Sequence, residues 1–276
     1  MNDMTKDINM SEPRIIPAMP FAEYLALPAI SAHGLVQMER SPAHYRHSVT
    51  APSDPTPAQQ LGTLAHIAIL EPARWAKHVT VAPNVDRRTK AGKAQWEDWQ
   101  RSVQATDAIV ATEEQHDACD GMAAAVHAHP YARLLLADGR AEQTLLYERD
   151  ELACKARPDW IGDGHDVVVD LKTAADASYE AFCRAAGRYT YHIQAAWYLD
   201  ALRRCGEPRA HFVHLVVESE PPHGVALYEL DEEAMHAGRI RVERALDAYA
   251  ACQSAEDWPA YPREIQSLSL PPWGLL

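Results

Sequence analysis

The 276-residue sequence predicts an α/β fold: a central mixed β-sheet flanked by helices, with a helical part on its N-terminal side. Three observations carry that reading. From Glu142 onward three short runs, EQTLLYERD, ELACKARPDWI and HDVVVDLKT, are rich in β-branched, aromatic and alternating residues and are separated by turn chemistry such as Gly162-Asp163-Gly164. Helical patterning returns at Ala177 to Ala186 and at Tyr191 to Arg204, after which AHFVHLVVES and GVALYEL read as two further strands. Upstream, AQQLGTLAHIAILE surrounds a helix axis with apolar residues, which marks a buried helix rather than one lying on the surface.

Taken in order, residues 1–20 are polar, with Pro13, Pro17 and Pro20, and read as a flexible tail, so that folding is expected to start at Phe21. Ser31 is a candidate cap for a short apolar helix, and Ser41-Pro42 marks its boundary. A loop containing Pro52, Pro55 and Pro57 leads into the buried helix from Ala58 to Glu71, which Pro72 helps to end. Residues 83–101 form the most basic stretch, with Arg87, Arg88, Lys90, Lys93 and Arg101 around Trp96 and Trp99. Residues 113–136 read as helix with a break at His129-Pro130. The three runs after Glu142 look like a three-strand meander, residues 232–253 form a last amphipathic helix, and the Pro-rich 259–276 read as a tail or arm. The expected organisation is one domain over 21–258, helical over 21–140 and built on the sheet over 141–258.

Composition narrows the classes of function. Hydrophobic residues make up 47% and charged residues 24%, ordinary values for a chain that buries a core. The net charge of −13 argues against a polycation that coats DNA, yet leaves room for a local basic groove. No apolar run approaches the ~18 residues that span a bilayer, and the first residues lack an apolar signal region, so a soluble cytoplasmic protein is expected. The 5 cysteines lie far apart with no CxxC pair, which fits free thiols and disfavours a zinc or iron–sulfur site. HExxH, GxSxG and a phosphate-binding loop are absent; AGKA at Ala91 to Ala94 lacks the flanking residues such a loop needs.

The informative segment is Arg157-Pro158-Asp159, the turn at Gly162 to Gly164, and Val167-Val168-Val169-Asp170-Leu171-Lys172-Thr173. On adjacent antiparallel strands Asp159 and Asp170 lie beside each other, and the two-residue strand period puts Asp170 and Lys172 on one face. Two carboxylates then form part of a shell for Mg²⁺ or Mn²⁺, with the lysine where an attacking water must lose a proton. An Asp-x-Lys by itself is more often an exposed ion pair. Here three valines precede Asp170, marking a central strand in which an unpartnered carboxylate is expensive. Gln194 and Tyr198, four apart, share a helix face, which could equally be an ordinary rim of the core. His66 in the apolar helix would ordinarily be a satisfied core residue, but it becomes a candidate third ligand beside the two aspartates.

Together RPDW…VVVDLKT, YHIQAAWY, the upstream GTLAHIAILEP and the opening SAHGLVQMERSPAHY resemble the exodeoxyribonuclease VIII (RecE-like) nucleases of the PD-(D/E)xK superfamily, to which lambda exonuclease and RecB-type nuclease domains belong. The resemblance runs over roughly residues 25–250. It implies a restriction-endonuclease-like core and a DNA exonuclease dependent on Mg²⁺, with Mn²⁺ as the alternative ion. His66, Asp159, Asp170 and the Leu171 backbone carbonyl would bind metal, Lys172 would be catalytic, and Gln194 and Tyr198 would match the helix motif beside the active site. Glu142 matches an acidic residue often found at the start of the first core strand.

The resemblance further favours digestion of linear double-stranded DNA from the 5′ end in phage-type recombination, a ring-like homo-oligomer and a single-strand annealing partner, within a bacterial or phage-infected cell. Arg87, Arg88, Lys90 and Lys93 are candidates for DNA contact, against the alternative of a solvated helix face. The competing functions are a restriction-type or structure-specific endonuclease and a noncatalytic scaffold that binds DNA ends.

Overall fold

The computed structural model describes residues 12–51, 54–104, 106 and 108–270. Its N-terminal part is punctuated by side-chain caps. Strand β1 (Arg14–Ile16) precedes helix α1 (Phe21–Ala26). Helix α2 (Ala32–Arg40) opens where the Ser31 hydroxyl accepts from the Gly34 amide, and Ser41 ends it while capping α3 (Pro42–Thr50), whose first residue needs no amide hydrogen. Thr56 and Gln59 form a capping box at the start of α4 (Pro57–Leu70), the buried helix anticipated one residue later. Pro72 does not simply stop that helix: it opens α5 (Pro72–His78), a use of proline at a helix start that its missing amide permits.

Strand β2 (Val79–Val81), helix α6 (Lys90–Gln104) and strand β3 (Ile109–Ala111) form a small unit in which the two strands pair in parallel across the helix. A second capping box, Thr112 with Gln115, starts α7 (Glu113–Ala128), and Pro130 begins α8 (Pro130–Leu135), so the expected break at His129-Pro130 separates two helices.

The strands that follow are β4 (Gly139–Ala141), β5 (Thr144–Arg149), β6 (Leu152–Ala156), β7 (Trp160–Gly162) and β8 (Val167–Ala174). Helices α9 (Tyr179–Tyr189) and α10 (Tyr191–Arg204), strands β9 (His211–Glu218) and β10 (Val225–Glu229), and helix α11 (Glu232–Ala255) complete the chain. The central sheet has the order β10-β9-β8-β7-β4, with β8 and β9 parallel and the other pairs antiparallel. It is therefore mixed, as expected.

The meander is not. The run from Glu151 to Ile161 divides at Pro158, which has no amide to give to a ladder, and its halves β6 and β7 belong to different sheets. Strands β4 and β5 divide in the same way at Glu142, whose φ of 52° is left-handed. The result is a second sheet, β1-β5-β6.

That sheet also corrects the expected N-terminal tail. Arg14–Ile16 pairs with Thr144–Leu146, and Met19 is buried, so the ordered chain begins before Phe21; residues 1–11 lie outside the described residues. Residues 259–270 form neither helix nor strand, consistent with an arm, and 271–276 lie outside the described residues.

Alternation along β8 divides the interior into two halves. Val168 shares a core with Ile193, Trp197 and Ala201 of α10, Val242 and Leu246 of α11, and Leu35 of α2. Val169 and Leu171 share another with Leu64, Ala65 and Ala68 of α4, Met122 and Val126 of α7, and Leu215 of β9. Asp170 points to the first side, directly after three valines of the strand. Among the described residues no helix is long and apolar enough to cross a membrane.

Lys155 fastens the N-terminal segment to this core. Its buried ammonium donates to the carbonyls of Tyr24 (2.8 Å), Leu25 (3.1 Å) and Leu27 (2.9 Å) at the end of α1, two of which also accept backbone amides, Tyr24 from Leu27 and Leu27 from Ala29. Lys155→Ala removes these three bonds and should lower stability by ~1–3 kcal/mol. The check is a thermal melt together with limited proteolysis, in which cleavage within residues 12–30 is expected to precede loss of the core.

Candidate active site

The points at which β4–β5 and β6–β7 change sheet lie side by side, because the Glu142 amide donates to the Asp159 carbonyl at 3.0 Å. Two acidic side chains are thereby delivered to one spot by backbone geometry. The antiparallel pairing of β7 with β8 runs through Trp160↔Val169. One residue beyond, the Asp159 carboxylate replaces the ladder: its Oδ2 accepts from the Leu171 amide at 2.8 Å.

From the opposite layer, α4 brings His66 over the same strand. Its Nε2 lies 3.1 Å from the Leu171 carbonyl, which can only accept, so Nε2 carries a proton and Nδ1 faces the acids. Nδ1 stands 3.6 Å from Asp159 Oδ2 and 3.7 Å from Glu142 Oε1. Burial disfavours the imidazolium, but Asp159 and Glu142 outweigh it and raise the pKa to about 9. Burial likewise pushes Asp159 up to about 7, with Asp170 and Glu142 adding to the rise and His66 and Lys172 opposing it. Glu142 moves the other way: against the cost of burial, His66 and Arg157 hold its carboxyl below the usual range. Arg157 is buried and donates to Glu142 Oε2 at 2.6 Å, to the Met19 carbonyl at 2.8 Å and to Thr144 Oγ1 at 3.1 Å.

The second half of the site is a closed ring of polar contacts between β8 and α10. Asp170 is 0% exposed. Its Oδ2 lies 2.6 Å from the Lys172 ammonium, and its Oδ1 accepts from Gln194 Nε2 at 2.8 Å. Gln194 Oε1 in turn accepts from Lys172 at 3.1 Å, while Gln194 Nε2 also lies 3.3 Å from the Tyr198 hydroxyl one helical turn on. The ammonium sits 4.7 Å from the centre of the Tyr191 ring. Burial works against the charge of Lys172, yet Asp170 and Asp159 prevail and raise its pKa above the ordinary lysine value.

The chain thus brings His66, Glu142, Asp159, Leu171, Asp170, Lys172, Gln194 and Tyr198 into one constellation. The tightest group of donors is His66, Glu142 and Asp159, whose ligand atoms lie within 4.8 Å of one another. Glu142, whose role was open in the sequence, joins it, whereas Asp170, expected among the ligands, has its oxygens engaged by Lys172 and Gln194. Two carboxylates and a nearby backbone carbonyl are hard oxygen donors that suit Mg²⁺ or Mn²⁺, His66 adds a borderline imidazole nitrogen, and a bound cation would offset the burial and the neighbouring acids that raise Asp159.

Arg157 and Tyr191 escaped the sequence reading. Their signals were position: one precedes the Pro-Asp pair, and the other lies three residues before Gln194 on the same helix face. The basic residues Arg87, Arg88, Lys90 and Lys93 stand apart from this constellation. All are exposed, in the turn before α6 and in its first turn, with the Arg87 guanidinium 4.7 Å from the Trp96 ring centre.

Comparison with known proteins agrees with this architecture. The family model described as a PDDEXK-like domain of unknown function (DUF3799) matches residues 31–271. No curated protein matches the chain significantly. Among solved structures, one from Eubacterium rectale, named as a candidate exonuclease, is similar at a TM-score of 0.58 and 11% identity, covering 90% of this chain and 92% of its own. A phage-related exonuclease from Haemophilus somnus 129PT aligns at a TM-score of 0.35 and 14% identity, covering 61% of this chain and 85% of its own.

If Glu142 belongs to the ion's shell, Glu142→Gln is expected to weaken Mn²⁺ binding by about tenfold or more in titration calorimetry. The same variant should melt earlier than the parent in chelator, because His66 and buried Arg157 stabilise the charged carboxylate and lose that partner. Unchanged affinity would place Glu142 outside the shell.

Proposed function

We propose that this chain, which belongs to the PDDEXK-like domain family DUF3799, is a divalent-metal-dependent exonuclease acting on the ends of linear double-stranded DNA. The observation that carries this reading is the Lys172 ammonium, paired with Asp170 on the strand whose Leu171 touches both His66 and Asp159. A metal group and a catalytic cation then flank one point where a phosphodiester can lie.

His66, Asp159, Glu142 and the Leu171 carbonyl would hold the ion, with Asp170 able to join them by exchanging its contacts with Lys172 and Gln194. The ion supplies Lewis-acid polarisation of a phosphate oxygen and acidifies the attacking water. Lys172 positions that water and offsets the negative charge that develops at phosphorus. Gln194 keeps Lys172 and Asp170 in register, and Tyr198, whose hydroxyl burial holds well above the ordinary phenol pKa, stays neutral beside them. Arg157 fixes the orientation of Glu142. The leaving group is the 3′ oxygen, so the product keeps a 5′ phosphate. Arg87, Arg88, Lys90 and Lys93 are proposed to contact phosphates.

Attack from the 5′ end, a role in phage-type recombination, a ring-like oligomer and a single-strand annealing partner are supported by the RecE-like sequence pattern. The test of activity is incubation of end-labelled linear and closed circular duplexes with Mg²⁺. Loss of the linear form with circles intact is the expected result. Cut circles would make the protein an endonuclease, and two intact substrates would leave a DNA-end-binding scaffold.

Lys172→Met should reduce single-turnover cleavage by about 10²–10⁴-fold. Metal affinity should stay within severalfold of the parent, and a melt should accompany the measurement because Asp170 loses its partner. Lys172→Arg is also expected to fail, since a planar guanidinium cannot take the position of the ammonium or give up a proton. Unimpaired cleavage in Lys172→Met would reduce Asp170-Leu171-Lys172 to a structural ion pair.

A further inference from the structure

Helices α9 and α10 meet at Thr190, a non-glycine residue held at φ 57° and ψ 41°. This left-handed residue does something a continuous helix cannot. Residues two apart on a helix point to different faces, whereas here Tyr189 and Tyr191 turn toward each other. Their rings stack with centroids 5.8 Å apart and planes 26° apart. A strained backbone is thus spent on bringing two aromatic rings into one pile.

The two rings have different surroundings. Tyr191 is half-buried, packs against Phe182 and His214, and carries the Lys172 ammonium against its face. Tyr189 is 55% exposed. The guanidinium of exposed Arg188 lies 5.4 Å from the centre of its ring. Tyr191 therefore contacts both the Lys172 ammonium and Tyr189, linking the site to an exposed ring accompanied by a cation.

A flat exposed ring beside a guanidinium is the chemistry that receives a nucleobase: the ring stacks on any base without regard to sequence, and arginine can stack as well or reach a phosphate. We infer that Tyr189, backed by Tyr191 and flanked by Arg188, is a stacking platform for an unpaired base of the DNA strand whose phosphate lies at Lys172. The inference rests on the nuclease reading above and adds what that reading lacks, a grip on the strand immediately beside the chemistry. In a chain with a net charge of −13, long-range attraction to DNA is weak, so a short-range stacking contact gains importance.

The experiment measures binding of fluorescein-labelled short single-stranded DNA by anisotropy, with Ca²⁺ in place of Mg²⁺ to hold the metal group without rapid turnover. Proteins compared are the full chain, Tyr189→Ala and Tyr189→Trp. Tyr189→Ala should weaken binding by about tenfold, the loss of one base stack, while Tyr189→Trp binds at least as well as the parent.

A second series replaces one nucleotide at a time by an abasic residue. One position should weaken binding to the parent by a similar factor and leave Tyr189→Ala unaffected, because the ring and base form a single contact. Equal affinities of the parent and Tyr189→Ala, or losses that simply add for every abasic position, would overturn the platform and leave the nuclease reading standing. A parent that binds no single-stranded DNA would overturn the platform, and the duplex digestion with Mg²⁺ decides the nuclease reading separately.

Discussion

A carboxylate with no solvent exposure, preceded on its strand by three valines, has to be matched by charge and hydrogen bonds, and Asp170 sets that condition for everything around it. Lys172 supplies the charge from two residues along the same strand, and Gln194 bonds both partners from the facing helix. The docking of α10 on the sheet is therefore a matter of polar registration as well as apolar packing. Trp197 and Ile193 fill the core on either side of Gln194, so a shift of the helix along its axis would break the ring of hydrogen bonds and the packing together.

The carboxylates opposite are brought in by a different device. Two strands leave the central sheet at neighbouring residues and continue in a second sheet. The departure points, Glu142 and Pro158-Asp159, place acids where a regular ladder would have put backbone contacts. Irregularities of this kind re-aim side chains, and here the same irregularity leaves the Leu171 amide free to bind a carboxylate.

The N-terminal segment is tied into this arrangement. Arg157 bonds Glu142, Thr144 and the Met19 carbonyl at once, and Lys155 holds the end of α1 through three carbonyls. A region that reads as a polar tail is thereby part of the support for an acidic side chain in the site. This differs from an ordinary surface strap, because the cations that fasten it are buried and would be costly without their partners.

The sequence by itself determined the local elements and the strand half of the site. Capping residues, proline positions and periodicity marked α2, α4, α7, α10, β8 and β9 closely, and the valines before Asp170 disclosed a buried carboxylate that required Lys172. Only the tertiary structure decided how the strands divide between two sheets, that Glu142 stands with His66 and Asp159, and that Tyr189 and Tyr191 stack. The reason is physical: periodicity and capping act over a few neighbouring residues, whereas a strand that changes sheet, a left-handed junction between helices and an arginine reaching back to Met19 depend on what lies across the fold.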